Sequence, residues 1–439
     1  MNIPQEKSWR AALSVYASKP VLILFALGVS AGLPFLLVFS TLTAWLTEAG
    51  LTNTTIGFIS WVGITYSIKI IWAPLVDRIR IPFLHRWFGP RRSFIMLAQI
   101  GIGAGLLAMS VLNPATEFEL LAFFAVVVAF SSATQDIAID AYRIELAEDN
   151  MQAAMSAAYV FGYRVALLIG GAGALYIAEF FSWQIAYQSM AALAFVLLGV
   201  TLIADQATVR RPSTTLAPGS GAVAWLTHAV VDPFADFLRR YRYQALLILL
   251  LVGCYRISDI IMGAMANPFY LQLGFSKTDI ANVTKVFGFG MTILGSFLGG
   301  LLVTRYGVAP ILCIGAICVS GTNLLFSWLS TVPPDLFALG IVISADNLSG
   351  GLAIVAFIAF LSSLTSSEHT ATQYALFSSI MTLPGKFFSG YSGVMVDSWG
   401  FGNFFLLAAA LGLPAIGLSF YWLWTQRGGV ETAGPQHSP

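Results

Sequence analysis

The sequence predicts an all-α membrane protein in which twelve transmembrane helices form two six-helix halves, with both termini in the cytoplasm. Three observations lead there: charge is scarce, twelve apolar runs have spanning length, and Lys and Arg fall on one side of them. Of 439 residues, 57% are apolar and 10% charged, with a mean hydropathy of +0.80, where a soluble globular chain carries about 25% charge. A surface so poor in charge could not hold a chain of this size in water. Most soluble enzymes and binding modules are excluded, and a net charge of +1 offers no basic patch for nucleic acid. Cys254, Cys313 and Cys318 lie in apolar runs; they read as small buried apolar residues, with no disulfide framework or metal site.

A bilayer core of about 30 Å takes roughly 20 apolar residues per helix. Runs of that kind cover residues 20–46, 54–76, 93–112, 119–142, 151–178, 183–204, 243–270, 278–303, 309–330, 336–361, 370–396 and 403–425, named spans 1 to 12 below. The first is too long for a cleaved signal peptide and lacks a small-residue cleavage site. With the N-terminus inside, 16 Lys and Arg residues fall on cytoplasmic segments and only Lys277 on an outer loop, a strong positive-inside bias. The chain then divides into an N-terminal half at 1–204, a cytoplasmic linker at 205–242, a C-terminal half at 243–426 and a polar tail at 427–439. The linker begins as a Pro/Gly/Ser stretch after Arg210-Arg211. It continues with Val223, Leu226, Val230, Phe234 and Phe237 at helical spacing before Arg239-Arg240; this reads either as an amphipathic helix on the cytoplasmic leaflet or as a solvated linker helix.

The halves repeat. Gly50, Thr54 and Ile56 at the entry to span 2 recur as Gly274, Thr278 and Ile280 at span 8, an offset of 224; Arg164 and Gly171 of span 5 match Lys386 and Gly393 of span 11 at an offset of 222. Such repeats are typical of secondary transporters, which bind solute near the bilayer midplane.

Nine charged residues lie inside spans away from their first turn: Lys69, Arg164, Arg256, Lys285, Lys386, Asp136, Asp140, Asp259 and Asp346. Unpaired and facing lipid they would cost roughly 20 to 30 kcal/mol together, so they face one another or a wet cavity. They fall on spans 2, 4, 5, 7, 8, 10 and 11; spans 3, 6, 9 and 12, which like span 1 have none, recur at every third place and are suited to the lipid. Asp136, Asp140 and Arg143 share one face of span 4, where a latch with Arg143 or Arg78 and a proton-transfer role both fit the two acids. Arg256 and Asp259, three apart, can pair within span 7. Asp346 has no basic residue within a turn and lies about 16 Å from the outer end of its span; it is the preferred proton carrier, with Lys386 or Lys285 as the alternative ion-pair partner. Arg164 and Lys386 hold matching places, fit either for an anionic solute or for neutralising Asp136, Asp259 or Asp346. The four histidines fall in loops or the tail, which argues against a histidine proton relay. No metal-ligand or nucleophile motif is present, so neither an enzyme nor a cofactor is expected.

Between spans 2 and 3, Ala73-Pro74-Leu75-Val76-Asp77-Arg78 and then Gly89-Pro90-Arg91-Arg92 resemble the cytoplasmic signature of the major facilitator superfamily. There an acid meets the positive end of a neighbouring helix while arginines tie spans together; Asp77, Arg78, Arg91, Arg92 and Arg143 are the corresponding gate candidates. The second half keeps Gly300 to Gly307 with Thr304 in place of the acid before Arg305. Further segments are more specific: Gly28-Val-Ser-Ala-Gly-Leu-Pro34, Ser132-Ala-Thr-Gln135-Asp136-Ile-Ala-Ile-Asp140-Ala141, Asp346-Asn347-Leu-Ser-Gly-Gly351 and Thr370-Ala-Thr-Gln373-Tyr374-Ala-Leu376. These resemble the AmpG muropeptide permeases, with two departures: Asp346 stands where Glu is usual and Thr134 where Ser is usual.

The resemblance implies a major facilitator fold and import of anhydro-muropeptides (GlcNAc-anhydroMurNAc with or without stem peptide) from periplasm to cytoplasm. It implies a multi-pass inner-membrane protein, driven by the proton gradient without a cofactor, acting in cell-wall recycling and, in some bacteria, β-lactamase induction. A carrier of another anionic solute such as an acyl-CoA, or a muropeptide sensor, are the alternatives. The partners expected are a small glycopeptide and the bilayer, for a monomer. Such a solute offers carboxylates to Arg164, Arg256 and Lys386, amides to Gln135, Asn267, Asn347 and Gln373, and sugar faces to Trp61, Tyr66, Tyr163, Tyr255 and Tyr374, with packing as the other role open to the aromatics.

Overall fold

The computed structural model describes residues 17–73, 76, 81–82, 84–146, 152–206, 232–364 and 370–431. Asp77, Arg78, Arg210, Arg211 and most of the linker lie outside them. Among the described residues, ten helices are long and apolar enough to cross a membrane. Several follow the apolar runs closely: Trp183–Ile203 for span 6 and Val308–Leu329 for span 9. Spans 2 and 11 are the two expected crossings not among the ten. Span 2 is cut into Asn53–Ile59 and Ile64–Ser67 by 3₁₀ turns at Ser60–Gly63 and Lys69–Ile71. Span 11 begins as Thr370–Ser389, a Ser/Thr-rich stretch with Pro384 and Lys386, breaks at residues 390–391, and resumes at Ser392.

These interruptions follow the internal repeat. Span 8 is π-helical over Ile280–Phe287; lowering those numbers by 224 gives 56–63, the stretch holding the 3₁₀ turn at Ser60–Gly63. Span 5 is π-helical over Ile169–Gly173; raising 169 by 222 gives 391, the break in span 11. Four related helices thus depart from α geometry at matching places. Departures of this kind are tolerated in a membrane where the freed backbone groups meet protein or a watery cavity.

The chain forms two compact units, residues 1–50 with 68–212, and residues 51–67 with 213–439. In the first, span 1 lies against span 5 with almost no side chain between them: a Cβ on Gly28 would overlap the Tyr159 carbonyl, and one on Gly32 that of Tyr163. Leu24, Leu27, Ile95, Ile139 and Met155 fill the core beside them. The second unit repeats the device, with Gly295 against Leu348 and Gly351 against Thr292, joining spans 8 and 10. Its core stacks Tyr255 on Phe357 at 4.4 Å between ring centres among Leu251, Leu312 and Phe360. Close helix approach through small residues is how membrane helices associate without a hydrophobic drive between them. Gly28→Ala is therefore expected to cost about 1–3 kcal/mol by overpacking and to lower the melting temperature in detergent. Gly290→Ala, where a Cβ meets open space, should leave it unchanged or slightly raised.

Spans 3, 6, 9 and 12 each expose large apolar side chains, among them Leu97 and Leu107 of span 3, Val196 and Ile203 of span 6, Ile317 and Leu324 of span 9, and Phe420 and Trp424 of span 12. Spans 5 and 8 do so as well, at Phe161 and Phe297. The described part of the linker, Asp232–Tyr241, is a helix. Phe237 is fully buried against Phe377 of span 11 and Tyr241 of its own helix; Val223, Leu226 and Val230 lie outside the described residues.

Candidate functional site

In the first unit the intramembrane charges sort into ion pairs and one cation without a partner among the described residues. The 3₁₀ turn at Lys69–Ile71 carries Lys69 to Asp136 of span 4, Nζ to Oδ2 at 3.3 Å, while Trp72 donates its indole N–H to Thr134 at 3.1 Å. The second oxygen of Asp136, Oδ1, is buried and meets no donor among the described residues. Asp140 pairs with Arg143 at 3.5 Å, and Arg143 also donates to Ser156 at 3.0 Å. Arg164, half-buried in span 5, makes no hydrogen bond or ion pair with any described residue. Tyr163 beside it is half-buried, its backbone against Gly32.

Gln135 has a different setting from Asp136. It is fully buried and donates to Ser30 Oγ at 2.7 Å; Gln99 donates to the same hydroxyl at 2.9 Å and accepts from Thr201. This network ties spans 1, 3, 4 and 6, and it places Gln135 in helix packing. Arg91 and Arg92 likewise bind within the unit. Arg91 reaches Glu145 through Nε and a terminal nitrogen at 2.9 and 2.6 Å, and Arg92 donates to the Thr201 and Leu202 carbonyls at 3.0 and 2.6 Å. They lock the N-terminal end of span 3 to the C-terminal ends of spans 4 and 6. Asp77 and Arg78 fall outside the described residues.

In the second unit Arg256 and Asp259 form an ion pair within span 7. Asp346 has no basic side chain within ion-pair distance among the described residues; its one hydrogen-bond partner there is Thr322, 3.2 Å from Oδ1, and the charges it feels are Asp259 and Arg256. Neither Lys285 nor Lys386 is its partner. Lys285 lies 3.4 Å from Asn267 Oδ1, with Asn267 buried, and Lys386 donates to Ser67 at 3.1 Å and sits 5.7 Å from the Tyr66 ring centre. Asn347 donates to the Ile343 carbonyl and accepts from Thr292 at 2.8 Å. Gln373 is buried at the docked linker helix, donating to Asp236 at 2.9 Å and accepting from Arg240 at 3.0 Å.

Thr322 stands between two acceptors, 2.9 Å from the Val319 carbonyl and 3.2 Å from Asp346. A hydroxyl has one proton to give. When Asp346 is ionised the hydroxyl can turn to it; when Asp346 is protonated, the acid can donate to Thr322 while Thr322 donates to Val319. The same heavy-atom positions therefore serve both states of the carboxyl.

Residues 51–67 pack along span 11. Asp397, just past the C-terminal end of span 11, accepts from Asn53 Nδ2 at 2.9 Å on Oδ1, and from the Thr54 backbone N–H and hydroxyl at 2.8 and 2.7 Å on Oδ2. Gln272 holds Asn53 from the other side at 2.8 Å. A Cβ on Gly393 would overlap the Asn53 carbonyl, so Gly393 itself has a packing cause. Further along, Trp61 donates to the Phe387 carbonyl at 2.9 Å and stacks on Phe387, and Ser67 meets Thr382 at 2.8 Å. By sequence alone Asp397 reads as an outer-loop charge; its four-residue spacing from Gly393 is the available signal.

Comparison with known proteins decides the family. The sequence profile of the Major Facilitator Superfamily matches residues 69–265. The protein named transporter AmpG 4 of Rickettsia conorii is 36% identical over 402 residues, 91% of this chain and 95% of its own. The chain belongs to the AmpG-type permeases of the major facilitator superfamily. The anhydromuropeptide permease of Escherichia coli is 34% identical over 406 residues, covering 92% of this AmpG-type chain and 80% of its own. Among solved structures, the nucleoside transporter NupG superposes with a TM-score of 0.67 at 14% identity, over 92% of this chain and 98% of its own. The peptide transporter POT in complex with sulfate gives 0.69 at 12% identity, over 97% and 96%. At those identities the likeness concerns the fold, and the family makes this a multi-pass membrane transporter.

Proposed function

We propose that this AmpG-type permease is a proton-coupled importer of anhydro-muropeptides, carrying them from periplasm to cytoplasm across the bacterial inner membrane by alternating access. The observation that carries the reading is Arg164: a guanidinium in the middle of a spanning helix, half-buried, with no partner among the described residues. Such a charge is not left facing lipid. It marks a wet path and is matched to a carboxylate-bearing solute by its planar fork. The name of the Escherichia coli relative supports the substrate class, and Asp346, with its two-state link to Thr322, supports proton coupling. The separation of residues 51–67 from span 11 is the outer opening step in this scheme, and the twelve-span plan keeps both termini in the cytoplasm.

The test is uptake of labelled GlcNAc-anhydroMurNAc peptide by the purified protein in liposomes under an inward proton gradient. Accumulation that collapses with uncoupler supports the reading; binding without accumulation points to a sensor, and no response to uncoupler removes proton coupling. Arg164→Gln is expected to raise the half-saturating concentration about ten- to hundredfold, since a hydrogen bond to a charged group is worth about 1.5–3 kcal/mol. Equal loss with a substrate lacking the stem-peptide carboxylates and the muramyl carboxylate would show that Arg164 acts otherwise.

A further inference from the structure

The second unit holds a cavity of about 910 Å³ at the inner ends of spans 8, 9, 10 and 12, bordered by Tyr241, Tyr306, Phe360, Ser363, Trp422 and Gln426. This end carries Arg239, Arg240, Arg242 and Arg305, which the distribution of positive charge assigns to the cytoplasmic membrane surface. Two features set it apart from a packing gap. Its wall combines amphipathic rings, of the kind that settle at the headgroup level, with Val308, Ala309 and Leu364. No described Asp or Glu lines it, and two of its lining residues, Tyr241 and Tyr306, directly follow arginines, Arg240 and Arg305.

Arg305 is the informative residue. In the first half, the acid Asp77 precedes Arg78 in the cytoplasmic signature; in the second, Thr304 takes that place before Arg305. Arg305 is exposed, forms no ion pair among the described residues, and lies with its guanidinium 5.5 Å from the centre of the Tyr306 ring, which faces the cavity. Beside two other lining residues, Arg240 lies 5.5 Å from the Tyr241 ring centre and donates to the Leu364 carbonyl at 3.1 Å. Asp236, the acid of that helix one turn from Arg240, is already bonded to Arg240 at 3.1 Å and to Gln373. Arg242 beside them is exposed. The loss of the signature acid thus leaves a cation at the mouth of an aromatic cavity with no anion among the described residues to meet it.

We infer that this cavity is a binding site for an anionic phospholipid of the cytoplasmic leaflet, with the headgroup phosphate on Arg305 and an acyl chain along the apolar wall. Basic pockets between helices on this side of a membrane protein suit such headgroups, and the volume suits a headgroup with the start of its chains. The site is independent of the transport reading, because none of its residues is among those assigned to solute or proton.

The full-length protein in detergent, titrated with phosphatidylglycerol or phosphatidylcholine and examined by native mass spectrometry, tests it. Wild type is expected to retain one phosphatidylglycerol at least about fivefold more than phosphatidylcholine, the mark of a basic headgroup pocket. Arg305→Glu should abolish that preference, and Ala309→Trp, which fills the cavity without changing charge, should reduce retention of the lipid. Arg86→Glu, an exposed basic position of the first unit, should match wild type. Equal retention of the two lipids by wild type, or undiminished preference in Arg305→Glu, would overturn the assignment. So would displacement of the lipid by millimolar inorganic phosphate, since that would make the site one for a soluble anion.

Discussion

Asp346→Asn is expected to abolish concentrative uptake while leaving exchange of labelled for unlabelled muropeptide across the vesicle membrane. The expectation rests on the setting of the carboxyl. An acid in a spanning helix with no described cation within ion-pair distance is not held as a structural ion pair, and its hydrogen-bond partner, Thr322, can donate to the ionised form or accept from the protonated one. Asparagine keeps the shape and a carbonyl acceptor for Thr322, so helix packing should survive, but it has no proton to release. The size of the effect follows from the driving force: one elementary charge moved across 100 mV is worth about 2.3 kcal/mol, enough to sustain roughly a 50-fold gradient. A coupled carrier that loses its proton site falls to the ratio of one that passive exchange allows. Accumulation ratios measured under an imposed potential, beside counterflow at zero potential, read both. Unchanged accumulation in Asp346→Asn would remove the residue from coupling and turn attention to Asp136, whose Oδ1 is also without a donor among the described residues.

Much of this arrangement could be read before any coordinates, and the limit has a physical cause. Spanning helices are legible because lipid demands a continuous run of apolar side chains, so Trp183–Ile203 falls within a residue of the sequence estimate. Charge pairs within one helix are legible for the same local reason, and Arg256 with Asp259 and Asp140 with Arg143 are both formed. Pairs between helices are not. Lys69 finds Asp136 only because a 3₁₀ turn rotates it toward span 4, and a change of hydrogen-bond register leaves little trace in residue types. Gln135 and Gln373 show the other limit. An amide in a membrane helix is equally suited to a solute and to a neighbouring hydroxyl, carboxylate or guanidinium, and here Ser30, Asp236 and Arg240 hold the two. The glycines of spans 1 and 10 stand out as family segments, but their purpose, backbone contact with spans 5 and 8, belongs to the partner helix and cannot be found in their own sequence.

Asp397→Ala is expected to loosen the closure of residues 51–67 on span 11. The carboxylate accepts three hydrogen bonds from Asn53 and Thr54, and alanine offers none. Because Asp397 is exposed, solvent competes for each bond and the set is worth only about 1 kcal/mol, about fivefold in a two-state equilibrium. The reporter is Ser60→Cys, buried within residues 51–67, in a background with Cys254, Cys313 and Cys318 replaced. A membrane-impermeant maleimide should label it several-fold faster when Asp397 is alanine, and identical rates would show that this contact does not hold the outer end closed. The pH dependence has a definite sign. Burial pushes the Asp397 carboxyl up, but the hydrogen bonds from Thr54 and Asn53 outweigh it and hold the group below its ordinary range. The stabilisation is therefore complete above the usual carboxylate value of about 4 and is lost as pH falls through the lowered one. Between about pH 5 and 8 the wild-type labelling rate should be flat with respect to this contact, so acidification in that range should leave the latch fastened. If labelling instead rises steeply from about pH 7 down to about pH 5, well above the range in which this carboxyl titrates, a different group controls the opening, and Asp397 is then only a helix-end contact.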